Sequence, residues 1–364
     1  AITAAGADVE IFKMRAYYPA GDEQVLVHQV TGRVVPERGL PLNVGCVVEN
    51  VGTVLSIADA LEDKPVQEKY LSVTGAVKKP VMCLAPLGTP IREVLAKAEL
   101  LVKRYAVIMG GPMMGKMLSD EAAIDQAVVT KTTGNLLVLP EDHYLVRRAV
   151  RPVSQMMRQA ATACLQCRAC TDLCPRSLLG HHVEPHMVMR SIWRKDSITD
   201  PAEFERALGS AVNCSSCGTC EMFSCPMGLS PRKMNDYAKT LLRERGIQPE
   251  KNQNPAASGE IEHRRIPTER LIARLGLSAY VYHGDLELYR VEPEEVFVPM
   301  SQHIGEGRRS GGSRGGRPVG KYLYGTWRNG HAGDAPGHPD QKKGGVRHGK
   351  GNLYAGAVQH RPRN

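Results

Sequence analysis

Cys164-Leu-Gln-Cys167-Arg-Ala-Cys170-Thr-Asp-Leu-Cys174-Pro175 is followed, forty residues later, by Cys214-Ser-Ser-Cys217-Gly-Thr-Cys220-Glu-Met-Phe-Ser-Cys225-Pro226. These two runs hold eight of the ten cysteines. Three thiolates spaced by two residues let one tight loop wrap three irons of a cubane, and a fourth cysteine before proline comes from a separate turn. The pattern therefore predicts two [4Fe–4S] clusters. Zinc is the competing reading, but a structural zinc needs four ligands in two pairs, and the third cysteine followed by Cys-Pro is surplus to it. A disulfide framework does not suit a chain whose first residues show no secretory pattern. In two-cluster ferredoxins the fourth cysteine of each run ligates the other cluster. Transferred here, that rule predicts one cluster on Cys164, Cys167, Cys170 and Cys225 and another on Cys214, Cys217, Cys220 and Cys174.

Around this centre, 364 residues allow two or three domains with a real core. Apolar runs such as Tyr105–Met109 and Leu136–Leu139 are strand length, far short of a membrane span. The expectation is a soluble or at most peripheral protein in a reducing cytoplasm. The net charge of +9 is localised: residues 305–364 hold 12 Lys+Arg against 3 Asp+Glu, leaving 35 against 35 elsewhere. A basic footprint for nucleic acid thus belongs to the tail alone. That tail has 16 glycines and only five Leu, Ile, Val, Met or Phe, too few for a core, and reads as disordered.

Secondary-structure signals divide the rest. Residues 1–65 read as the carboxy-terminal part of an α/β domain, with a strand at 11–14, a turn at Gly21-Asp22-Glu23, a helix over 24–31, and Asn50 capping a helix over 53–61. Residues 66–140 read as a small α+β module. A hairpin over 70–77 and 81–86 is followed by a helix over 91–98 and a strand at 106–109, then the glycine-rich Gly110–Gly115, a tight turn rather than a phosphate cradle. Residues 141–246 read as helical, with segments at 147–163, 186–194, 201–212 and 232–245. His181, His182 and His186 lack helix-face spacing and read as solvated loop histidines. Residues 245–269 read as a charged linker, and apolar content returns at 271–277 and 296–300. Cys46 and Cys83 lie in apolar runs, as small buried hydrophobes do. Gly315-x4-Gly320-Lys321 nearly matches a phosphate loop, but Tyr322 replaces the required Ser/Thr and no strand precedes it.

The words around the cysteines resemble the PduS-type cobalamin reductases and the RnfC-like electron-transport subunits. They are Ala163–Arg176, Leu178-Leu-Gly-His181 and Cys225-Pro-Met-Gly-Leu-Ser-Pro-Arg232, joined by Tyr18-Pro-Ala-Gly-Asp-Glu23, Gly110-Gly-Pro-Met-Met-Gly115 and Thr130-Lys-Thr-Thr-Gly134. The resemblance covers about residues 10–304. It implies a multi-domain α+β chain: a partial flavin/NADH-binding α/β domain similar to that of the NADH-oxidising subunit of complex I, a soluble-ligand-binding β-grasp (SLBB) module, and an α-helical two-cluster ferredoxin domain. It further implies FMN and NADH as cofactors, electron flow from NADH to the clusters, and a corrinoid or protein redox acceptor. Cob(III/II)alamin in a bacterial microcompartment is the first expectation; transfer between NADH and ferredoxin in a membrane-associated Rnf complex, or relay without catalysis, is the alternative. Flavin-contacting positions carried over are Gly21, Asp22, Glu23, Asn50 and Thr53, with Gly52 departing from the family's acid; no catalytic residue follows.

The family's upstream glycine-rich flavin loop is not found, so truncation at the amino end is expected. Residues 247–304 lead into what resembles the start of a barrel-sandwich segment at Pro299–Gly305. The tail beyond reads as frameshifted; an RNA-binding Arg-Gly segment is the lesser reading.

Overall fold

The computed structural model describes residues 8–293. In chain order it contains β1 (Tyr17–Tyr18), α1 (Glu23–Thr31), α2 (Val51–Ala60), β2 (Glu68–Gly75), β3 (Val81–Pro86), α3 (Ile91–Leu95), β4 (Tyr105–Met109), β5 (Lys116–Leu118), α4 (Glu121–Asp125) and β6 (Asn135–Pro140). Then follow α5 (Tyr144–Ala149), α6 (Val153–Ala163), α7 (Ala169–Asp172), α8 (Pro175–Leu178), α9 (Pro185–Ser191), α10 (Pro201–Leu208), α11 (Pro231–Glu244), β7 (Ile266–Pro267), α12 (Thr268–Arg274) and β8 (Glu287–Arg290). The architecture is multi-domain α+β.

The larger sheet runs β5-β4-β6-β2-β3-β8. Strands β2 and β3 form the expected antiparallel hairpin, and the central pair β2 and β6 is parallel. Strand β6 is apolar at four successive positions because both of its faces are covered. Leu136 and Val138 pack with Ile91, Val94 and Val73 on one side. Leu137 and Leu139 pack on the other with Leu145 of α5, Leu271 of α12 and Met222 from the second cysteine run. Sheet and cysteine region therefore share a core, which fixes their relative position. A further core, built on Phe204, Met189, Ile192 and Leu208, carries the helices. Met234, Ala238 and Leu242 on α11 join it at the four-residue spacing that puts apolar side chains on one face.

Several expectations are corrected. No strand forms at 11–14; Ile11 and Phe12 are exposed, and a short apolar run without a neighbouring strand has no ladder to join. The helix expected over 147–163 is two, because Pro152 cannot continue a helix and instead sits at the N-cap of α6. The expected linker over 245–269 is a bonded strap. Glu37 N–H donates to Asn252 O at 3.1 Å, Ser258 N–H to Leu178 O at 2.8 Å, and β7 pairs with β1. Its polar, proline-rich composition signals irregular backbone without showing where that backbone finds partners. Val296–Met300 and the tail lie outside the described residues, as does the barrel-sandwich segment.

Glu37 holds the strap. Its buried carboxylate accepts from His182 N–H at 2.6 Å and Asn252 N–H at 3.0 Å. Burial alone would raise its pKa, but these two donors hold it below the ordinary value of 4.5. Its contribution to stability is therefore complete above pH 4.5 and lost as pH falls through the lowered folded value. Thermal melts of Glu37→Gln should show a loss of about 2 kcal/mol at pH 7 that shrinks on acidification; a constant loss down to pH 3 would contradict this account.

Candidate metal centre

The two cysteine runs fold alike. Gln166 and Arg168 have left-handed φ of 54° and 63°, and the equivalent Ser216 and Gly218 have 57° and 84°. Three non-glycine residues held in this sparsely populated region, repeated at matching positions, mark a loop shaped to converge its thiols. Gly218 has an additional reason: a Cβ there would meet Met113 O of the Gly110–Gly115 turn at 3.1 Å. The runs differ by one residue before their final cysteine. In the first, α7 closes ordinarily before Cys174; in the second, Cys220–Ser224 is a π-helical turn closed by Cys225 N–H to Cys220 O at 3.0 Å. The extra residue is absorbed as a wider turn, and the Cys-Pro position is kept.

Tertiary packing then exchanges the last cysteines. Cys164, Cys167, Cys170 and Cys225 line one cavity with Leu165, Gln166, His186, Met189, Met227 and Leu229. Cys174 instead lies beside Cys217 and Cys214, and Cys220 beside Cys214, Cys217 and Cys174. All eight thiols are free. Among the described residues, no three Cys, His, Asp or Glu side chains converge tightly enough to hold a single metal ion.

Donors to sulfur are already in place. Gln166 Nε2 donates to Cys164 Sγ at 3.2 Å, Ser216 N–H to Cys214 Sγ at 3.3 Å and Leu229 N–H to Cys225 Sγ at 3.4 Å. Such bonds stabilise a charged sulfur and tune a cluster's potential. Without iron, burial pushes Cys170 up to about 12, with Cys164, Cys225 and Cys167 adding to it. Burial likewise raises Cys174, Cys217 and Cys220. The donor set therefore fits a cationic core that converts these thiols to thiolates and releases their protons. For the iron-free chain the raised thiols contribute stability in full below the ordinary value of 9.0, and it is lost as pH rises beyond that toward the folded values. Melts of iron-free protein between pH 7 and 11 should fall above pH 9, and iron-loaded protein should not share the fall.

Other side chains hold the two groups in place, and no sequence motif announces them. Buried Arg148 donates to Gly228 O at 2.7 Å, to Leu229 O and to Ser230 Oγ at 3.2 Å, clamping the loop after Cys225. Lys239 Nζ donates to Cys214 O at 2.6 Å, and Arg232 pairs with buried Glu221 at 3.0 Å. The histidine expectation is corrected in part. His181 is buried against Val35 O at 2.9 Å, and His186 is buried 2.8 Å from Thr171 Oγ1, while His182 is exposed. Cys83 is buried as expected, whereas Cys46 is only half-buried because the turn over Pro41–Val44 lies at the surface.

The carried-over flavin positions fall into two places. Asp22 caps α1 through Gln24 and Val25 N–H and pairs with Arg176 at 3.0 Å, directly after Cys174-Pro175. Next to it, Tyr18 Oη donates to Cys217 O at 2.6 Å. Gly21 and Glu23 stay exposed, with open space around Gly21. Asn50 accepts from Gly52 N–H at 2.8 Å and caps α2, a helix with no buried residue, where Thr53 is also exposed. No hydrogen bond or ion pair among the described residues joins Asn50 or Thr53 to Gly21–Glu23. The Asp22 carboxylate is thus committed within the protein, which leaves Gly21 and Glu23 as the open part of that turn.

Residues 163–230 match the family described as 4Fe-4S dicluster domain, and residues 1–59 match the Nuo51 FMN-binding domain. Over 290 residues the chain is 42% identical to cobalamin reductase PduS of Salmonella typhimurium and 40% identical to that of Citrobacter freundii. The chain resembles the cobalamin reductases. Each alignment takes in 79% of this chain and 62% of the cobalamin reductase, so the chain spans about three fifths of those relatives. A component of the ion-translocating oxidoreductase complex of Pseudomonas aeruginosa is 36% identical over 166 residues, 44% of this chain and 19% of that protein. Among solved structures, an NAD+-reducing [NiFe]-hydrogenase in the H2-reduced state aligns at 20% identity with a TM-score of 0.34, covering 64% of this chain and 42% of that one. The two family matches together join FMN and 4Fe–4S chemistry in one chain.

Proposed function

We propose that this chain is the relay portion of an NADH-dependent cobalamin reductase, with one [4Fe–4S] cluster on Cys164, Cys167, Cys170 and Cys225 and the other on Cys174, Cys214, Cys217 and Cys220. The observation that carries the reading is that the final cysteine of each run lies with thiols of the other run, giving two groups of four in one folded unit with Cys170, Cys174, Cys217, Cys220 and Cys225 buried. When bound, such clusters take up and release single electrons. The protein's own part is to hold eight thiols, supply N–H donors to their sulfurs and exclude water through buried Met189 and Leu229.

The remaining assignments follow the same reading. Residues 1–65 belong to a flavin/NADH domain, in which Gly21, Asp22, Glu23, Asn50 and Thr53 lie on the FMN side. Residues 66–140 form an SLBB β-grasp module; the strand order β3-β2-β6-β4 with a parallel central pair and α3 on one face supports this. Residues 141–246 form the cluster domain, and residues 247–304 lead out of it. The final acceptor is a corrinoid, within a microcompartment in the cytoplasm. No described helix is long and apolar enough to cross a membrane.

Anaerobic purification with iron, sulfide, zinc and flavin quantified, followed by addition of NADH and a corrinoid, tests the proposal. About eight irons and eight sulfides per chain, as two cubanes require, and NADH-driven loss of cluster absorbance are expected. Stoichiometric zinc without sulfide would reject it.

A further inference from the structure

Two arginines stand side by side on α5 in opposite surroundings. Arg147 is exposed, whereas Arg148 shares the buried face of the helix with Leu145, three residues back, and is 3% exposed. Its guanidinium meets only neutral acceptors: Tyr144 Oη and Ser230 Oγ at 3.2 Å, Gly228 O at 2.7 Å, and Leu229 O. Its Nε has no partner, and among the described residues no carboxylate pairs with it. An arginine keeps its charge in a protein interior, and a buried charge without a counter-charge is strongly unfavourable.

The acceptors point to the missing counter-charge. Gly228 O and the N–H of Leu229 belong to one peptide unit, and that N–H donates to Cys225 Sγ at 3.4 Å. Arg148 therefore polarises the peptide from its carbonyl end, which strengthens the bond its other end gives to sulfur. Leu229 also lines the cavity shared by Cys164, Cys167, Cys170 and Cys225. A [4Fe–4S] core with four thiolates is a net anion, and reduction makes it more negative. A buried guanidinium behind the Cys225 loop favours that reduced state.

The other thiol group is set differently, because the cations against it bring carboxylates of their own. Arg176 has Asp22 at 3.0 Å, Arg232 has buried Glu221 at 3.0 Å, and Lys239, which holds Cys214 O, has Asp236 at 3.8 Å. These pairs are neutral overall and favour neither redox state strongly. Acids near the Cys225 group do not offset Arg148 in the same way. Asp172 and Glu184 act on the ring of His186 in the cavity wall, but both are partly exposed and face Arg264 at 3.8 Å and His182 at 3.2 Å. The exposure of Leu165 and Cys167 works in the same direction as Arg148, since water also favours the more charged state.

We propose that Arg148 is the counter-charge of the cluster on Cys164, Cys167, Cys170 and Cys225 and makes it the first of the two clusters to be reduced. This rests on the relay reading above. Given one electron, the chain holds it on this cluster: the cluster on Cys174, Cys214, Cys217 and Cys220 is oxidised by one as this one is reduced by one, and no bond is made or broken. Arg148 is thus a positioning residue, acting through Gly228 and Leu229.

The test is an anaerobic redox titration of the iron-loaded full chain, followed by electron paramagnetic resonance. Cys214→Ala, which removes the other cluster, identifies the signal of the Cys225 cluster. In the unaltered chain that cluster should take up the first electron. Arg148→Gln should make its reduction about tenfold less favourable, a fall of about 59 mV for one electron, and leave the other cluster unmoved. Arg148→Lys keeps a charge behind the loop and should fall by less. Glu221→Gln does the converse: it strips Arg232 of its partner, so the other cluster should become easier to reduce by a similar factor. If the Arg148 variants fail to take up iron, the order in the unaltered chain and the Glu221→Gln shift decide. Reduction of the Cys225 cluster last, equal falls in Arg148→Gln and Arg148→Lys, or no shift in Arg148→Gln or in Glu221→Gln overturns the proposal. Iron and sulfide content keeps the two failures apart: a preparation without cubanes overturns the relay reading, whereas two cubanes in the wrong order overturn this proposal alone.

Discussion

Cys174→Ala should remove the cluster held by Cys214, Cys217 and Cys220 while the cluster of its own run survives. Cys174 is buried, and Cys217 and Cys214 of the second run lie beside it. Iron should fall from about eight to about four per chain, and the surviving resonance signal should match that of Cys214→Ala. Combining the variants separates the two wirings. Adding Cys214→Ala to Cys174→Ala should remove no further iron, because both ligate one cluster; adding Cys164→Ala should remove the rest. Cys225→Ala is the mirror case and should spare the second run. Loss confined to the first-run cluster in Cys174→Ala would reject the exchange.

Gly180→Ala should be the most damaging single methyl in the chain's connecting segments. Gly180 has φ of +84°, and a Cβ there would lie 2.1 Å from Ala256 O in the strap. Neither partner can yield cheaply. Residues 178–182 are pinned by Ser258 N–H to Leu178 O at 2.8 Å, by His181 to Val35 O at 2.9 Å and by His182 N–H to Glu37 at 2.6 Å. The loss should be about 3 kcal/mol or more, seen as a fall of roughly 5–10 °C in the melting of iron-loaded protein. Gly32→Ala is the control: its φ is +72° with nothing within 4 Å of the added Cβ, so only the backbone penalty of about 1 kcal/mol applies. Equal losses at the two positions would show that the strap gives way and does not brace the cysteine domain.

The proposed ligand sets could be drawn from the sequence because they rest on spacing and a rule about loop reach. The β2–β3 hairpin and the Asn50 cap are equally legible, since each depends on residues within a few positions of one another. The break at Pro152 is marked just as locally, although the apolar pattern around it runs on as if through one helix. Arg148, Arg176, Tyr18 and Glu37 are not legible in this way. Each acts on residues far along the chain: Arg148 on the loop at 228–230, Tyr18 on Cys217, Glu37 on Asn252. An arginine in an Arg-rich stretch carries no local mark of whether it will be buried on three acceptors or left in solvent as Arg158 is.

What the sequence by itself determined is the chemistry of Cys164–Cys225: thiolate type, number and local spacing are covalent facts, and loop reach converts them into a two-cluster reading. Only the tertiary structure decided that the group containing Cys174 is enclosed while the group containing Cys225 opens to solvent at Leu165, Cys167 and Met227. That distinction arises where β6, α5, α12 and Met222 share one core, which presses the second run against the sheet module and the Tyr18–Asp22 segment. The start of the first run is left facing water at Leu165, Cys167 and Arg168. Burial of one loop by segments far away along the chain depends on long-range packing, and no local pattern in the chain encodes it.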